Sequence, residues 1–130
     1  ILVEEEQNSG HWQVLIRNGH DFTFFDSYGD EPTTILNFIP KYMNKLLGNE
    51  KSDIGHILKS IKKTDKLTIN KFQFQSNING VNTCGRHCLG KVILLLKHDM
   101  NNADYIKYFK KKHKETKLSY DEIICNLITI

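Results

Sequence analysis

His11-Trp12-Gln13-Val14-Leu15-Ile16-Arg17-Asn18-Gly19-His20-Asp21-Phe22-Thr23-Phe24-Phe25-Asp26-Ser27 is the stretch that decides the fold. His11 to Arg17 alternates and reads as a strand; Asp21 to Ser27 reads as the return strand. Asn18-Gly19 between them signals a two-residue hairpin loop, because both central positions of a type I′ turn need positive φ. With that loop, Arg17 faces His20, Ile16 faces Asp21, Trp12 faces Phe25 and His11 faces Asp26. Directly opposed side chains share a face, with Cβ atoms about 4.5–5.5 Å apart. An imidazole and a carboxylate at that distance hydrogen-bond, and the carboxylate fixes the tautomer and favours the protonated ring. A four-residue loop would instead place His11 opposite Tyr28. The plain alternative is a solvated ion pair at the end of a hairpin.

Working outward, Ile1 to Glu5 reads as another strand, and Tyr28-Gly29-Asp30-Glu31-Pro32 as a turn. Thr33 or Thr34 opens a helix towards Leu47, kinked or split by Pro40, with Gly48 as its stop. Asp53 to Lys63 predicts a second helix, with Ile54, Ile57, Leu58 and Ile61 on one face. Leu67 to Gln75 alternates as a strand, with a phase change near Asn70. Asn77 to Thr83 is a polar loop. Cys84 to Asp99 predicts a helix apolar nearly all round (Leu89, Val92, Ile93, Leu94, Leu95, Leu96), which implies a central, buried helix. Two further helices are expected near residues 102–114 and 119–127. The expected fold class is α+β: a small mixed or antiparallel, meander-like sheet packed on helices, in one domain over residues 1–130.

Composition agrees with one globular domain: 130 residues, 39% hydrophobic and 25% charged. No apolar run approaches the roughly 20 residues of a membrane span. Three cysteines are too few, and odd in number, for a disulfide framework. Each is therefore a free thiol, a ligand or a nucleophile. The net charge of +3 does not demand a nucleic-acid partner. The basic residues are uneven, however: Lys107, Lys110, Lys111, Lys112, His113, Lys114 and Lys117 crowd one segment with Tyr105, Tyr108 and Phe109. That segment reads as an amphipathic helix with a solvated Lys face, or as a patch for DNA, RNA or an acidic protein. Only Arg17 and Arg86 among the 18 basic residues are Arg; with many Asn and Ile, this is the bias of an AT-rich coding genome.

Cys84-Gly85 stands where the polar loop enters the most apolar helix. A thiol at a helix N-terminus meets the positive end of the macrodipole and unpaired N–H groups, so its pKa falls. Gly85 removes bulk beside the sulfur, and the same N–H groups can hold an oxyanion. A buried structural thiol is the alternative for Cys84, and it is the reading for Cys88 and Cys125. Cys84, His87 and Cys88 at i, i+3 and i+4 would offer three zinc ligands, but a structural site wants four, and no metal or other cofactor is expected. His87 points poorly at an N-terminal thiol on its own helix, so His11 is preferred as the base.

His11-Trp12, then Phe25-Asp26-Ser27-Tyr28-Gly29, then Gln75, then Thr83-Cys84-Gly85, in that order, resemble the adenovirus-protease-like (adenain-like) cysteine proteases of the SUMO-protease clan. The match runs from about residue 10 to 99. The Cys84-Gly85-Arg86-His87 form resembles versions in large DNA viruses, virophages and related mobile elements. The resemblance implies an adenain-like fold whose central helix starts at the catalytic Cys. It implies Cys84 as nucleophile, His11 as general base, Asp26 as its orienter and an amide side chain in the oxyanion hole. The family's Gln stands six or seven residues before the Cys. Gln75 stands nine before it, which implies a longer loop, with Asn77 and Asn79 as substitutes. Trp12 and Gly85 would bind substrate. The family region preceding the His-Trp strand is mostly absent.

The implied activity is that of a cysteine endopeptidase cleaving viral structural precursors at Gly-containing sites, in the virion or in the infected cell's cytoplasm or virus factory. DNA is a candidate partner through Lys107–Lys117, and no membrane is expected. Three other functions fit the same residues: a deconjugase for ubiquitin-like or SUMO-like proteins, an acyltransferase, and a catalytically inactive binding module.

Overall fold

A computed structural model describes residues 1–6, 9–48 and 53–129. Among these residues, four strands form one mixed sheet in sequence order: β1 (Leu2–Glu6), β2 (Ser9–Asn18), β3 (Asp21–Asp26) and β4 (Lys66–Ile69). β1, β2 and β3 are antiparallel neighbours, whereas β4 runs parallel to β3. The meander expectation is corrected there. A parallel partner needs a crossover, and the crossover consists of a 3-10 turn (Thr34–Asn37), α1 (Lys41–Leu46) and α2 (Asp53–Ser60). Pro40 splits the first helix, as N-cap of α1 with φ −53°. Gly48 follows the end of α1 at φ +76°. In α2, Ile54 is buried but Ile57 is 44% exposed, so the predicted apolar face is only partly used.

The hairpin register differs from the direct-facing expectation. Asn18 pairs with Asp21, and Gln13 pairs with Asp26. Gly19 and His20 are therefore the loop, and Gly19 alone takes positive φ (+61°), as in a type II′ turn. Moving the loop by one residue moves every pair by two. Because side chains alternate with period two, the faces are unchanged. Trp12 thus lies opposite Leu2, and Val14 opposite Phe25. His11 lies diagonally from Asp26 on the same face, in the register set out for the four-residue alternative.

β4 ends at Ile69, well short of Gln75. Asn70 ends it. Its side-chain oxygen accepts from the Phe72 N–H (3.0 Å), and its Nδ2 donates to the Asp26 carbonyl (2.7 Å) and the Phe72 carbonyl (2.9 Å). This local side-chain pairing replaces a strand ladder. The chain then latches onto Ser27, whose carbonyl accepts from the N–H groups of Phe74 (2.8 Å) and Gln75 (2.9 Å).

Three helices complete the fold: α3 (Cys84–His98), α4 (Asn102–Thr116) and α5 (Tyr120–Leu127). The main core joins Phe25, Phe74, Cys88, Tyr105, Phe109, Ile123 and Ile124. Each such apolar side chain contributes about 1.5–3 kcal/mol by leaving water. A second cluster of Val3, Ile35 and Ile39 lies between β1 and the crossover. Phe24 and Phe25 point to opposite faces, and both are buried, so β3 is covered on both sides. α3 does not bury its whole circumference: Leu89 is 43% exposed and Leu96 70% exposed, while Cys84, His87, Cys88, Gly90 and Lys91 form its inner face. The central-helix expectation is corrected to a one-sided burial. Gly90 permits the crossing with α5, since a Cβ there would lie 2.5 Å from Ile124 Cδ1.

Candidate active site

Cys84 is the first residue of α3, His11 lies on β2 and Asp26 ends β3. The structure brings all three together. His11 Nε2 lies 2.9 Å from Asp26 Oδ2, with both side chains buried. The Cys84 thiol lies close enough to His11 for each to shift the other's pKa. With Nε2 turned to Asp26, the ring's Nδ1 is the atom left for sulfur.

The electrostatics follow. Burial pulls the His11 pKa down, but the influences of Asp26 and Cys84 outweigh it and hold the ring at about 9. Burial pushes the Cys84 thiol up, but His11 and the backbone at Trp12 and Gly85 bring its pKa below the ordinary value. A raised imidazole beside a lowered thiol is the condition for a thiolate–imidazolium pair at neutral pH. Cys88, one turn on, is the opposite case: burial and the nearby Cys84 push it up to about 12, and its thiol donates to the Trp12 carbonyl (3.2 Å).

Asp26 is held on every side. Oδ2 also accepts from Gln13 Nε2 (2.9 Å), and Oδ1 accepts from the Tyr28 N–H (2.7 Å). Tyr28 stacks on His11 with ring centroids 4.8 Å apart. Burial raises the Tyr28 phenol pKa, helped by the surrounding anionic groups.

Gln75 is buried behind this assembly. Its Oε1 accepts from Ser27 Oγ (2.8 Å), and its Nε2 donates to Tyr28 Oη (3.1 Å) and the Val81 carbonyl (2.8 Å). Both amide hydrogens are thereby engaged, so an oxyanion taking one would displace Tyr28 or Val81. Asn77 and Asn79 are exposed. Trp12 is 45% exposed rather than a core residue. Its ring lies over Gly85, where a Cβ would sit 3.4 Å from Trp12 Cδ1. Ile1, Trp12, Val14, Gly85, Leu89 and Val92 border an apolar cleft of about 420 Å³ beside the nucleophile's helix. A second cavity of about 500 Å³, on the Tyr28 side, is bordered by Glu5, Asp30, Phe38 and Asn77.

The three potential zinc ligands turn to different partners. Cys84 meets His11, Cys88 meets the Trp12 carbonyl, and His87 Nε2 lies 3.3 Å from Asp121 Oδ1. Cys125 is exposed, which corrects its reading as a core thiol. It sits on the outer side of α5, whose inner side is Ile123 and Ile124. On α4, Tyr105 and Phe109 enter the core while most of the Lys side chains face solvent, and Glu115 pairs with Lys111 and Lys112.

Sequence reasoning missed two participants, Gln13 and Asp121. Gln13 needed the true register. Tyr28 was visible as the alternative partner of His11. Asp121 had no local signal, because its partners Ser76, Thr83 and His87 are distant in the chain.

The chain is 34% identical, over 131 aligned positions, to the Sputnik virophage protein named "Uncharacterized protein V9"; the alignment covers all of this chain and 71% of that relative. The chain belongs to that virophage protein's family. No family model and no solved structure matches it. The virophage kinship agrees with the Lys- and Asn-rich composition. Among the described residues of this virophage-family protein, no helix is long and apolar enough to cross a membrane.

Proposed function

We propose that this protein is a cysteine endopeptidase of adenain-like fold. The observation that carries the reading is the buried chain Asp26–His11–Cys84, with Cys84 at a helix start and its thiol pKa lowered.

Cys84 thiolate attacks the scissile carbonyl carbon; the C–S bond forms and the carbonyl π electrons move to oxygen. The Cys84 backbone N–H, at the N-terminus of α3, stabilises that oxyanion. Gln75 is the candidate second donor, once it releases Tyr28 or Val81. His11 gives its Nδ1 proton to the leaving amine as the C–N bond breaks. The neutral ring then takes a proton from water, whose oxygen attacks the thioester and regenerates the thiolate. Asp26 keeps Nε2–H in place throughout. Trp12 and Gly85 line the substrate cleft. The substrates are viral structural precursors cut at Gly-containing sites, in the virion or virus factory. The exposed Lys face of α4 is the surface offered to DNA.

Iodoacetamide labelling against pH tests this. The wild-type protein should alkylate Cys84 far faster than exposed Cys125, and His11→Ala should abolish the advantage. Equal rates at Cys84 and Cys125 would refute the nucleophile assignment. Cleavage of capsid precursor, against hydrolysis of a ubiquitin-like C-terminal reporter, separates a maturation protease from a deconjugase. A protein that cleaves neither, yet binds DNA through α4 after Cys84→Ala, is a binding module.

A further inference from the structure

His11 and Gln13 stand two residues apart on β2, so their side chains share a face. Gln13 is the direct ladder partner of Asp26, and His11 lies on the diagonal. The register therefore aims two donors at one carboxylate. His11 Nε2 and Gln13 Nε2 each lie 2.9 Å from Asp26 Oδ2, while Oδ1 accepts from the Tyr28 N–H at 2.7 Å. None of His11, Gln13 and Asp26 is more than 3% exposed.

Gln13 makes this bond with its other end unmatched. Its Oε1 is buried and has no partner among the described residues, and a buried unpaired acceptor is unfavourable. The amide cannot turn over to relieve it, because an ionised carboxylate only accepts hydrogen bonds and has none to give Oε1. An apolar side chain of similar size would fill the same space without the orphaned oxygen. The polar end is accounted for by Asp26 alone.

Electrostatics decides what the bond does there. The Gln13 N–H brings the positive end of a dipole to the oxygen that holds the His11 proton. A carboxylate oxygen shared with a second donor pulls less on the first. Nδ1 of His11 is then less basic than an unshared Asp26 would make it. In the endopeptidase reading that atom gives a proton to the leaving amine, and a base that holds its proton too tightly is a poor acid in that step.

We propose that Gln13 is a positioning residue for the dyad: it occupies one side of Asp26 Oδ2 and so limits the carboxylate's hold on His11, keeping the imidazolium able to release its proton. The inference rests on the reading of His11 as the base. Gln13 acts only through Asp26 and touches neither substrate nor sulfur.

Moderation and mere support differ in sign, and that makes the test decisive. A Gln13 that only props Asp26 in place would, on removal, slacken the His11–Asp26 bond and lower the His11 midpoint. A Gln13 that moderates Asp26 raises the midpoint when removed. The other titratable groups near His11 are Cys84 on α3, and Tyr28 and Asp30 in the turn after β3; Val3, opposite on β1, carries no charge. All of these are the same in each variant. The readout is the NMR titration of the His11 ring protons, with folding followed by circular dichroism.

Gln13→Met should raise the His11 midpoint by about half a pH unit, about a threefold change in equilibrium. Gln13→Leu should do the same, and serves where the Met variant does not fold. In Asp26→Asn the carboxylate charge on which Gln13 acts is gone, so adding Gln13→Met to Asp26→Asn should leave the midpoint where Asp26→Asn puts it. A midpoint unchanged or lowered in a folded Gln13 variant, or a rise that persists undiminished beside Asp26→Asn, would overturn the proposal. The failures are distinguishable: slow iodoacetamide labelling of Cys84 in the wild-type protein sinks the enzyme reading, whereas a fast-labelling protein whose His11 midpoint ignores Gln13 sinks only this inference.

Discussion

Replacing Asp26 with Asn should discharge His11. The rise from 6.5 to about 9 at this ring amounts to about 3 kcal/mol in favour of imidazolium. Burial works against that figure, so the hydrogen bonds and charges exceed it. Asp26 supplies the largest of the influences that raise the ring, and it does so at 2.9 Å between buried groups. Asn keeps the shape and loses the charge. The raising influence of Cys84 remains, but it then faces burial alone. The His11 midpoint should fall from about 9 by at least about one pH unit. The assay is the NMR titration of the histidine ring protons, with His11 assigned from the signal missing in His11→Gln. A His11 midpoint still near 9 in Asp26→Asn would refute the account. Stability supplies a second readout. His11 is raised, so its contribution is fully present below 6.5 and is lost as pH rises through about 9. Cys84 is lowered, so its contribution is present above its ordinary 9.0 and lost as pH falls through its folded value. The two slopes oppose each other in the wild-type protein. Cys84→Ser leaves the histidine slope unopposed by the thiol, and Asp26→Asn should then flatten it in urea unfolding measured against pH.

Other perturbations bear on the frame. Gln75→Ala leaves Ser27 Oγ, Tyr28 Oη and the Val81 carbonyl without their partner, and should cost about 3 kcal/mol in urea unfolding. Gly10→Ala puts a Cβ 2.1 Å from the Val3 carbonyl oxygen; separating β1 from β2 should cost about 3 kcal/mol by the same measurement. Lys91 is buried on α3, donates to the Met100 carbonyl at 2.9 Å, and has its pKa pulled down by burial to about 8. The unfolded chain binds more protons there, so this residue makes stability rise with pH between about 8 and 10.5. Lys91→Met should remove that rise from a thermal-melting series.

The chain's alternation and turn chemistry determined the first three strands. Capping and breaking residues determined most helix positions: Pro40 and Gly48 act where local chemistry says they must. Cys84 at a helix start was equally legible, because a polar loop giving way to an apolar run is a local pattern. The face shared by His11 and Asp26 was legible too, since a strand's period of two survives a slip of two in pairing.

What local pattern could not supply was partnership. The loop slipped by one residue because Gly19 alone took the positive φ, and that gave Asp26 to Gln13 and set Tyr28 on His11. β4 became parallel because the chain crossed over before returning to β3, which no periodicity encodes. The apolar circumference of α3 was exposed on one side because α5 and the sheet cover only the other. Gln75 and Asp121 acquired their partners from segments up to 48 residues away. The sequence by itself determined which side chains have the chemistry to react. The tertiary structure alone decided which of them meet, because burial, hydrogen-bond competition and charge coupling act through distances in space rather than along the chain.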